Sequence, residues 1–154
     1  MNCIEIKNVV KKFGDDIALD EINLNIQKGK IVAILGADGS GKTTLLRLII
    51  GLLKVNDGEI VILGLNPDTK KEEIISKTGY MPQKFGLYED LTVIENLNLY
   101  AKLKNCNENF DDLLDFTTLS PFKNRLAGNL SGGMKQKLAI ACALLGKPKL
   151  LVLD

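Results

Sequence analysis

The chain lacks the residues from which several kinds of site are built. Its 154 residues include no histidine, and the three cysteines, Cys3, Cys106 and Cys142, are far apart and form no CxxC pair. A Cys/His metal site is therefore excluded. The thiols are expected to be reduced and mostly buried, as in a cytosolic protein.

Net charge and long apolar segments are also scarce. Twenty basic residues nearly balance nineteen acidic ones, which leaves a net charge of +1 and no electrostatic basis for binding nucleic acid. The longest apolar run, at residues 138–146, is about half of the ~18 residues that a membrane span requires. The N-terminus has no apolar core typical of a signal peptide. If the protein serves a membrane, another chain or segment must supply the spanning part.

The pattern of apolar residues predicts strands that alternate with helices. Residues 31–35 form a continuous apolar run ahead of a glycine, as expected for a strand buried on both faces of a sheet. Thr92 and Glu95 form a capping-box pattern, and Ser131 is a second helix cap. Further strands are predicted at 3–10, 19–26, 59–63, 79–81 and 149–154, and helices at 41–53, around 74–75, 92–104, 111–119 and 131–145. This order predicts an α/β fold with a largely parallel central sheet.

A glycine-rich phosphate loop carries the clearest chemistry. Residues 36–43 fit G-x-x-x-x-G-K-[ST] in full, between a predicted strand and a helix. Its glycines let backbone N–H groups turn inward around an anion, and the positive end of the helix points at the same spot. Lys42 is expected to reach the β- and γ-phosphates, and the Thr43 hydroxyl to ligate Mg²⁺. The candidate nucleotide-binding set is Gly36, Asp38, Gly39, Ser40, Gly41, Lys42, Thr43 and Thr44. No Asn-Lys-x-Asp sequence is present, which argues against a GTPase.

Three further segments determine the class of ATPase. Residues 130–134, LSGGM, resemble the signature sequence of the ABC-transporter ATPase family, and residues 149–154, KLLVLD, resemble its Walker B strand. Gln83, in GYMPQ, resembles the Q-loop glutamine. All occur in the family's order. The resemblance implies one P-loop NTPase domain over residues 1–154, with an N-terminal antiparallel β subdomain, Walker A at 36–43, a helical subdomain at about 88–130 that leads to the signature, and Walker B at 150–154.

The resemblance also implies roles for individual residues. Ser131, Gly132 and Gly133 would contact the γ-phosphate of an ATP held by a second subunit. Asp154 and Gln83 would join Thr43 around Mg²⁺, which makes Lys42, Gln83 and Asp154 the catalytic candidates. Phe13 stands where relatives usually carry a tyrosine that stacks on adenine. The alternative for Phe13 is an ordinary core residue.

The same resemblance implies partners and a location. The partners would be a second ATP-binding subunit, in a head-to-tail dimer, and a transmembrane permease subunit or domain. The protein would lie in the cytoplasm, peripheral on the cytoplasmic face of the membrane. Residues 80–97 look most like ATPases of ABC-2-type exporters, often multidrug exporters. An ATPase acting in DNA repair or translation is the alternative, although no sustained heptads lie between residues 44 and 130.

Three departures from the family pattern matter. Met134 replaces the glutamine of the signature, and Asp38 stands where many relatives have asparagine, so its carboxylate is expected to point away from the phosphates. Third, the chain stops at Asp154, before the family's water-orienting glutamate and its histidine. We therefore expect a domain incomplete at its C-terminus, a fragment of a longer protein or a truncated gene. As it stands, such a chain would bind nucleotide without efficient hydrolysis.

Overall fold

A long β-hairpin opens the first of two structural units. The computed structural model describes residues 2–154, and the chain divides at residue 78 into two compact units. In the first, β1 (Asn2–Phe13) pairs antiparallel with β2 (Asp16–Gln27) on one edge and with β3 (Asp57–Ile62) on the other. Two helices complete this unit, α1 (Lys42–Ile49) and α2 (Lys71–Lys77). The predicted antiparallel N-terminal subdomain is confirmed.

The second unit combines a two-stranded sheet with three helices. β4 (Thr78–Met81) pairs with β5 (Leu150–Leu153). The helices are α3 (Val93–Leu103), α4 (Asp111–Phe116) and α5 (Gly132–Leu144), and α3 packs against α5. Short 3₁₀ turns lie at Ser120–Phe122 and Ala127–Asn129.

Each unit has apolar side chains that water cannot reach. In the first unit β1, β3 and α1 supply most of them, including Ile6, Val9, Ile62 and Leu48. In the second unit the helices enclose a cluster formed by Val93, Leu97, Ala101, Leu114, Leu119, Ala127, Leu130, Leu138, Ala141, Cys142 and Leu145. Burial of these side chains is the main favourable term that orients α5, the helix that follows the signature sequence.

The strand expected at residues 31–35 is not formed. Residues 30–37 adopt no regular structure, and Ile31 and Leu35 are 104% and 90% exposed. The prediction was wrong because an apolar run indicates only a preference for burial. A strand also needs a neighbouring strand for its hydrogen bonds, and residues 2–154 provide none for this segment. The parallel sheet is correspondingly smaller than expected.

Helix α1 ends four residues earlier than predicted. Gly51 has a φ of 73°, and the amides of Gly51 and Leu52 donate to the carbonyls of Leu48 and Arg47. This is the Schellman pattern, in which a left-handed glycine closes a helix. The signal was present in the sequence as Gly51.

Candidate nucleotide-binding site

The phosphate loop enters α1 through a glycine that no other residue could replace without strain. Gly41 is the N-cap of α1, with a φ of 87° and ψ of 6°. A Cβ at this position would lie 2.5 Å from the carbonyl oxygen of Ala18 and 2.8 Å from the side chain of Leu19, both on β2. A side chain would therefore meet both a left-handed backbone and a steric clash. The close approach of β2 therefore determines where the loop joins α1.

The loop also folds back on itself. A Cβ on Gly36 would lie 2.6 Å from the Ser40 hydroxyl, and the Ser40 amide donates to the carbonyl of Ala37 at 3.2 Å. Gly39, between them, has a φ of 78°. Gly36 and Gly39 therefore allow the loop to form a tight turn.

The ammonium group of Lys42 lies against this turn. Its ammonium group donates hydrogen bonds to the carbonyl oxygens of Gly36 at 2.9 Å and Ala37 at 2.7 Å. α1 has no side-chain cap and no acidic residue in its first turn. The first amides of a helix and its dipole favour an anion there. The arrangement is suited to a negatively charged group such as a phosphate.

The remaining predicted loop residues lie around the same turn. Thr43 and Thr44 are the second and third residues of α1 and are partly buried, whereas Asp38 and Ser40 are exposed. The structure therefore brings the loop candidates from Gly36 to Thr44 together in one segment.

Phe13 is not a core residue. It is the last residue of β1, its side chain is 50% exposed, and the Lys11 ammonium group lies 5.0 Å from the centre of its ring. Phe13 pairs with Asp16 on β2, two residues before Ala18, which contacts Gly41. The ring is thus exposed at the end of the strand pair that supports the loop, where one face can stack on a planar group.

The signature residues form the N-terminus of α5. The Ser131 side chain accepts a hydrogen bond from the Met134 amide at 3.3 Å, so the predicted cap is confirmed. Residues 131–133 are exposed, and a Cβ on Gly132 or Gly133 would meet no atom within 4 Å. α5 has no acidic residue in its first turn. This is a second helix N-terminus suited to an anion, and its surroundings are open.

β4 and β5 bring Gln83 and Asp154 to the same edge of the second unit. The amide of Asp154 donates to the carbonyl of Met81 at 2.9 Å, and exposed Gln83 follows two residues after Met81. The hydroxyl of Tyr80 donates to Oδ2 of Asp154 at 3.1 Å. Sequence reasoning missed Tyr80, because the pairing of two strands more than 70 residues apart is not encoded in either strand alone.

Hydrogen bonds from two side chains of α3 hold the segment that follows Gln83. Asn96 is fully buried, and its side-chain amide donates to the carbonyls of Tyr88, Leu91 and Thr92 and accepts from the Tyr88 amide. The Tyr100 hydroxyl donates to the Gly86 carbonyl at 2.6 Å, and burial raises the pKa of Tyr100. The sequence analysis did not identify either residue.

Lys104 closes the other end of α5. Its ammonium group donates to the carbonyls of Ala143 at 2.9 Å and Leu145 at 3.0 Å, and burial lowers its pKa. Burial also raises the pKa of the Cys142 thiol to about 12, which makes it a poor nucleophile. The expectation of a buried thiol is met at Cys142, while Cys3 and Cys106 are partly buried.

The available donors are compatible with magnesium. Within residues 2–154, no group of three or more His, Cys, Asp or Glu side chains could hold a metal ion by itself. Thr43, Gln83 and Asp154 offer hydroxyl, amide and carboxylate oxygens, which are hard ligands. Mg²⁺ is usually bound by one or two protein oxygens together with substrate phosphates and water. Each of these oxygens is therefore of the kind that Mg²⁺ accepts as a ligand.

A family model described as "ABC transporter" matches residues 19–154. The chain belongs to the ABC transporter family. The matched range includes the phosphate loop, Gln83 and residues 130–134 and 149–154. The part of an ABC transporter represented here is its ATP-binding domain.

The similar proteins are named for the transport of different substrates, and one of them is named for import. Across 98% of its length, the chain is 48% identical to the probable multidrug ABC transporter ATP-binding protein YbhF of Escherichia coli. It is 40% identical to the zinc import ATP-binding protein ZnuC of Rickettsia conorii and 38% identical to the bacitracin transport ATP-binding protein BcrA of Bacillus licheniformis. The chain spans 27% of YbhF, 61% of ZnuC and 50% of BcrA.

Solved structures confirm the fold class. The chain superimposes on the ATP-binding subunit of an ABC transporter with a TM-score of 0.87 and 30% identity, covering 99% of this chain and 65% of that one. It superimposes on the ATP-binding cassette MJ0796, a dimer bound to ADP and phosphate, with a TM-score of 0.83 and 34% identity, covering 98% of this chain and 73% of that one. The ABC domain described here is therefore an α/β P-loop NTPase domain of which part is present. Among residues 2–154, no helix has the length and apolar character needed to cross a membrane.

Proposed function

We propose that this ABC domain binds MgATP at residues 36–44 and that, in the complete protein, ATP binding and hydrolysis drive export across a membrane. The observation that carries the proposal is the uncapped start of α1, where Lys42 lies over the loop and Gly41 fits closely against Ala18. A triphosphate matches this site because it offers several anionic oxygens to one ammonium group and several amides.

The other candidate residues complete the nucleotide site in this proposal. Phe13 stacks on the adenine through one face of its exposed ring. Thr43 and Asp154 would hold Mg²⁺, and Gln83 would sense the metal and the attacking water. When bound, Mg²⁺ would neutralise part of the negative charge of the triphosphate. The exposed position of Gln83 directly after β4 supports a role at this edge.

A second ATP-binding subunit is the proposed partner across the nucleotide. The exposed Ser131–Gly133 segment of one copy would face the phosphate loop of the other in a head-to-tail dimer. The open space around Gly132 and Gly133 supports this, because it admits a phosphate group without rearrangement. That MJ0796 is dimeric supports it further.

A transmembrane permease subunit or domain is the second proposed partner, with this domain on the cytoplasmic face. Transport is favoured over a role in repair or translation, because the relatives are named for transport. Export is favoured over import by the 48% identity to a multidrug ABC protein and by the resemblance at residues 80–97.

The experiment has two steps. Isothermal titration of the purified chain with MgATP, with MgGTP as the control nucleotide, tests the binding site, and absence of ATP binding would reject it. The complete protein and its permease in inverted membrane vesicles then test direction. ATP-dependent accumulation of a drug-like substrate inside the vesicles supports export, and ATP-dependent loss of preloaded substrate contradicts it.

A further inference from the structure

Both main-chain and side-chain hydrogen bonds join the end of β5 to β4. The main-chain bond from the Asp154 amide to the Met81 carbonyl, at 2.9 Å, sets the position of Asp154 along β4. The second bond joins side chains, from the Tyr80 hydroxyl to Oδ2 of Asp154 at 3.1 Å. Together they fix both the backbone and the carboxylate of Asp154.

A phenol hydroxyl is well suited to this task. It donates a hydrogen bond without bringing a charge, so it orients one carboxylate oxygen without neutralising the group. Tyr80 and Asp154 are both partly buried, so their hydrogen bond is shielded from competing water better than one on an open surface.

We propose that Tyr80 is a positioning residue that orients the carboxylate of Asp154 for binding a divalent cation, the magnesium ion of MgATP. The inference rests on the proposed function, in which Asp154 binds that ion. Ligating carboxylates are commonly held by partners of this kind, and loss of the partner typically lowers metal affinity by about 10–100-fold. Tyr80 is expected to act on the metal and to leave recognition of the triphosphate by the phosphate loop unchanged.

Tyr80→Phe removes only the hydroxyl and keeps the ring. Mn²⁺, as a paramagnetic probe for the magnesium site, is titrated into the chain saturated with a non-hydrolysable ATP analogue, and free Mn²⁺ is followed by electron paramagnetic resonance. We expect Mn²⁺ to bind about 10-fold more weakly to the variant. Binding of the ATP analogue in EDTA is expected to remain within twofold of that of the unsubstituted chain.

Tyr88→Phe is the matched control. Tyr88 is 49% exposed, and the hydrogen bonds found for it are made by its main chain. The same atom is removed from the same residue type, and Mn²⁺ affinity should not change.

Asp154→Asn tests whether Tyr80 acts through Asp154. In this background Tyr80→Phe should produce no further loss of Mn²⁺ affinity. An unchanged Mn²⁺ affinity in Tyr80→Phe, or an equal loss with and without Asp154, overturns the inference. A thermal shift in Tyr80→Phe without any change in Mn²⁺ affinity assigns the bond a structural role only. If the unsubstituted chain binds no ATP analogue, the proposed function fails instead, so the two failures are distinguishable.

Discussion

The two helix N-termini that suit an anion are built in opposite ways. At α1 the glycines are demanded by the fold, because Gly41 has a left-handed backbone and no room for a Cβ beside Ala18. At α5 neither Gly132 nor Gly133 has a positive φ, and both face open space. Among residues 2–154, no atom near Gly132 or Gly133 demands a glycine. The proposed dimer would use this open space for a phosphate group held by the partner.

The two helices also differ in how their first turns are capped. α1 has no side-chain cap, and Lys42 contacts the loop carbonyls instead. α5 is capped by Ser131, so it is complete without a ligand. The first site is therefore shaped by its own strands and the second by a self-contained helix start.

Gly41→Ala should have the largest effect on folding. We expect the free energy of unfolding to fall by about 2–5 kcal/mol, from ~1–2 kcal/mol of left-handed strain and ~1–3 kcal/mol of overpacking against β2. Urea unfolding followed by circular dichroism measures it. Gly39→Ala is the control, because Gly39 has a φ of 78° but open space around it, so only about 1–2 kcal/mol should be lost. Equal losses would show that the contact with Ala18 is unimportant.

Lys42→Ala should have the largest effect on ligand binding. Charge-assisted hydrogen bonds contribute about 1.5–3 kcal/mol each, so we expect ATP to bind at least ~100-fold more weakly. Titration with a fluorescent ATP analogue measures the change. Lys28→Ala, at an exposed lysine of the same unit, removes the same charge and should leave the affinity unchanged. Normal affinity in Lys42→Ala would remove this lysine from the site.

Phe13→Ala should weaken recognition of the base and leave recognition of the phosphates unchanged. In this proposal no aromatic ring at the N-terminus of α5 stacks on a base, so the effect distinguishes the site at α1. Loss of stacking should weaken adenosine nucleotides by roughly 1–3 kcal/mol, judged from base–aromatic stacking at nucleic-acid sites. Phe13→Tyr should bind normally. Titrations with ATP and with inorganic triphosphate distinguish the contributions, because triphosphate binding should not depend on residue 13. An alanine variant with normal ATP affinity would contradict stacking.

Ser131→Ala should lower the free energy of unfolding by about 1 kcal/mol through loss of the cap on α5. Ser131→Asp is the informative companion, because aspartate caps a helix well but adds a negative charge where the γ-phosphate is proposed to bind. Its stability should match that of the unsubstituted chain, while ATP-dependent dimerisation, measured by sedimentation in the complete protein, should be lost. Retained dimerisation would argue against a phosphate at this helix.

Gly133→Ala should have the smallest effect on folding, with a gain of up to about 0.5–1 kcal/mol, because alanine is the better helix former and the added methyl group meets no atom. The same methyl group is expected to obstruct the approaching phosphate and weaken the ATP-dependent dimer. Gln136→Ala, an exposed change one turn later, is the control. If Gly133→Ala dimerises normally, the open space around Gly132 and Gly133 has no role in binding. The difference between the N-termini of α1 and α5 then has no functional consequence.

Features that depend on residues close together in the chain were predictable. The Thr92 capping box is formed as expected, with the Thr92 amide donating to Glu95 at 2.8 Å and the Glu95 amide donating to Thr92 at 3.3 Å. The Glu95 carboxylate accepts hydrogen bonds from the Thr92 amide and, at 2.7 Å, from the Thr92 hydroxyl, and these two bonds lower the pKa of Glu95. The Ser131 cap and the start of α1 were predictable for the same reason. A cap requires only three or four adjacent residues.

Features that depend on residues far apart in the chain were not predictable from the sequence. The apolar run at residues 31–35 indicated burial, yet in the structure Ile31 and Leu35 are exposed. The bond between Tyr80 and Asp154 joins residues 74 positions apart, and neither residue's neighbours predict it. Phe13 is similar, because its exposure is decided by where the hairpin ends rather than by the residue type.

By itself, the sequence determined the phosphate loop, its lysine and the order of the family's motifs, because each is a short pattern whose chemistry follows from adjacent backbone and side-chain groups. Only the tertiary structure decided why Gly41 must be glycine, that Phe13 is exposed, and that Tyr80 holds Asp154. Each of these depends on contacts between elements that are separate in the chain, such as that of Ala18 on β2 with Gly41 at the start of α1 and that of β4 with β5. Strand pairing is set by the packing of the whole unit rather than by local preference, so it appears only when the chain is folded.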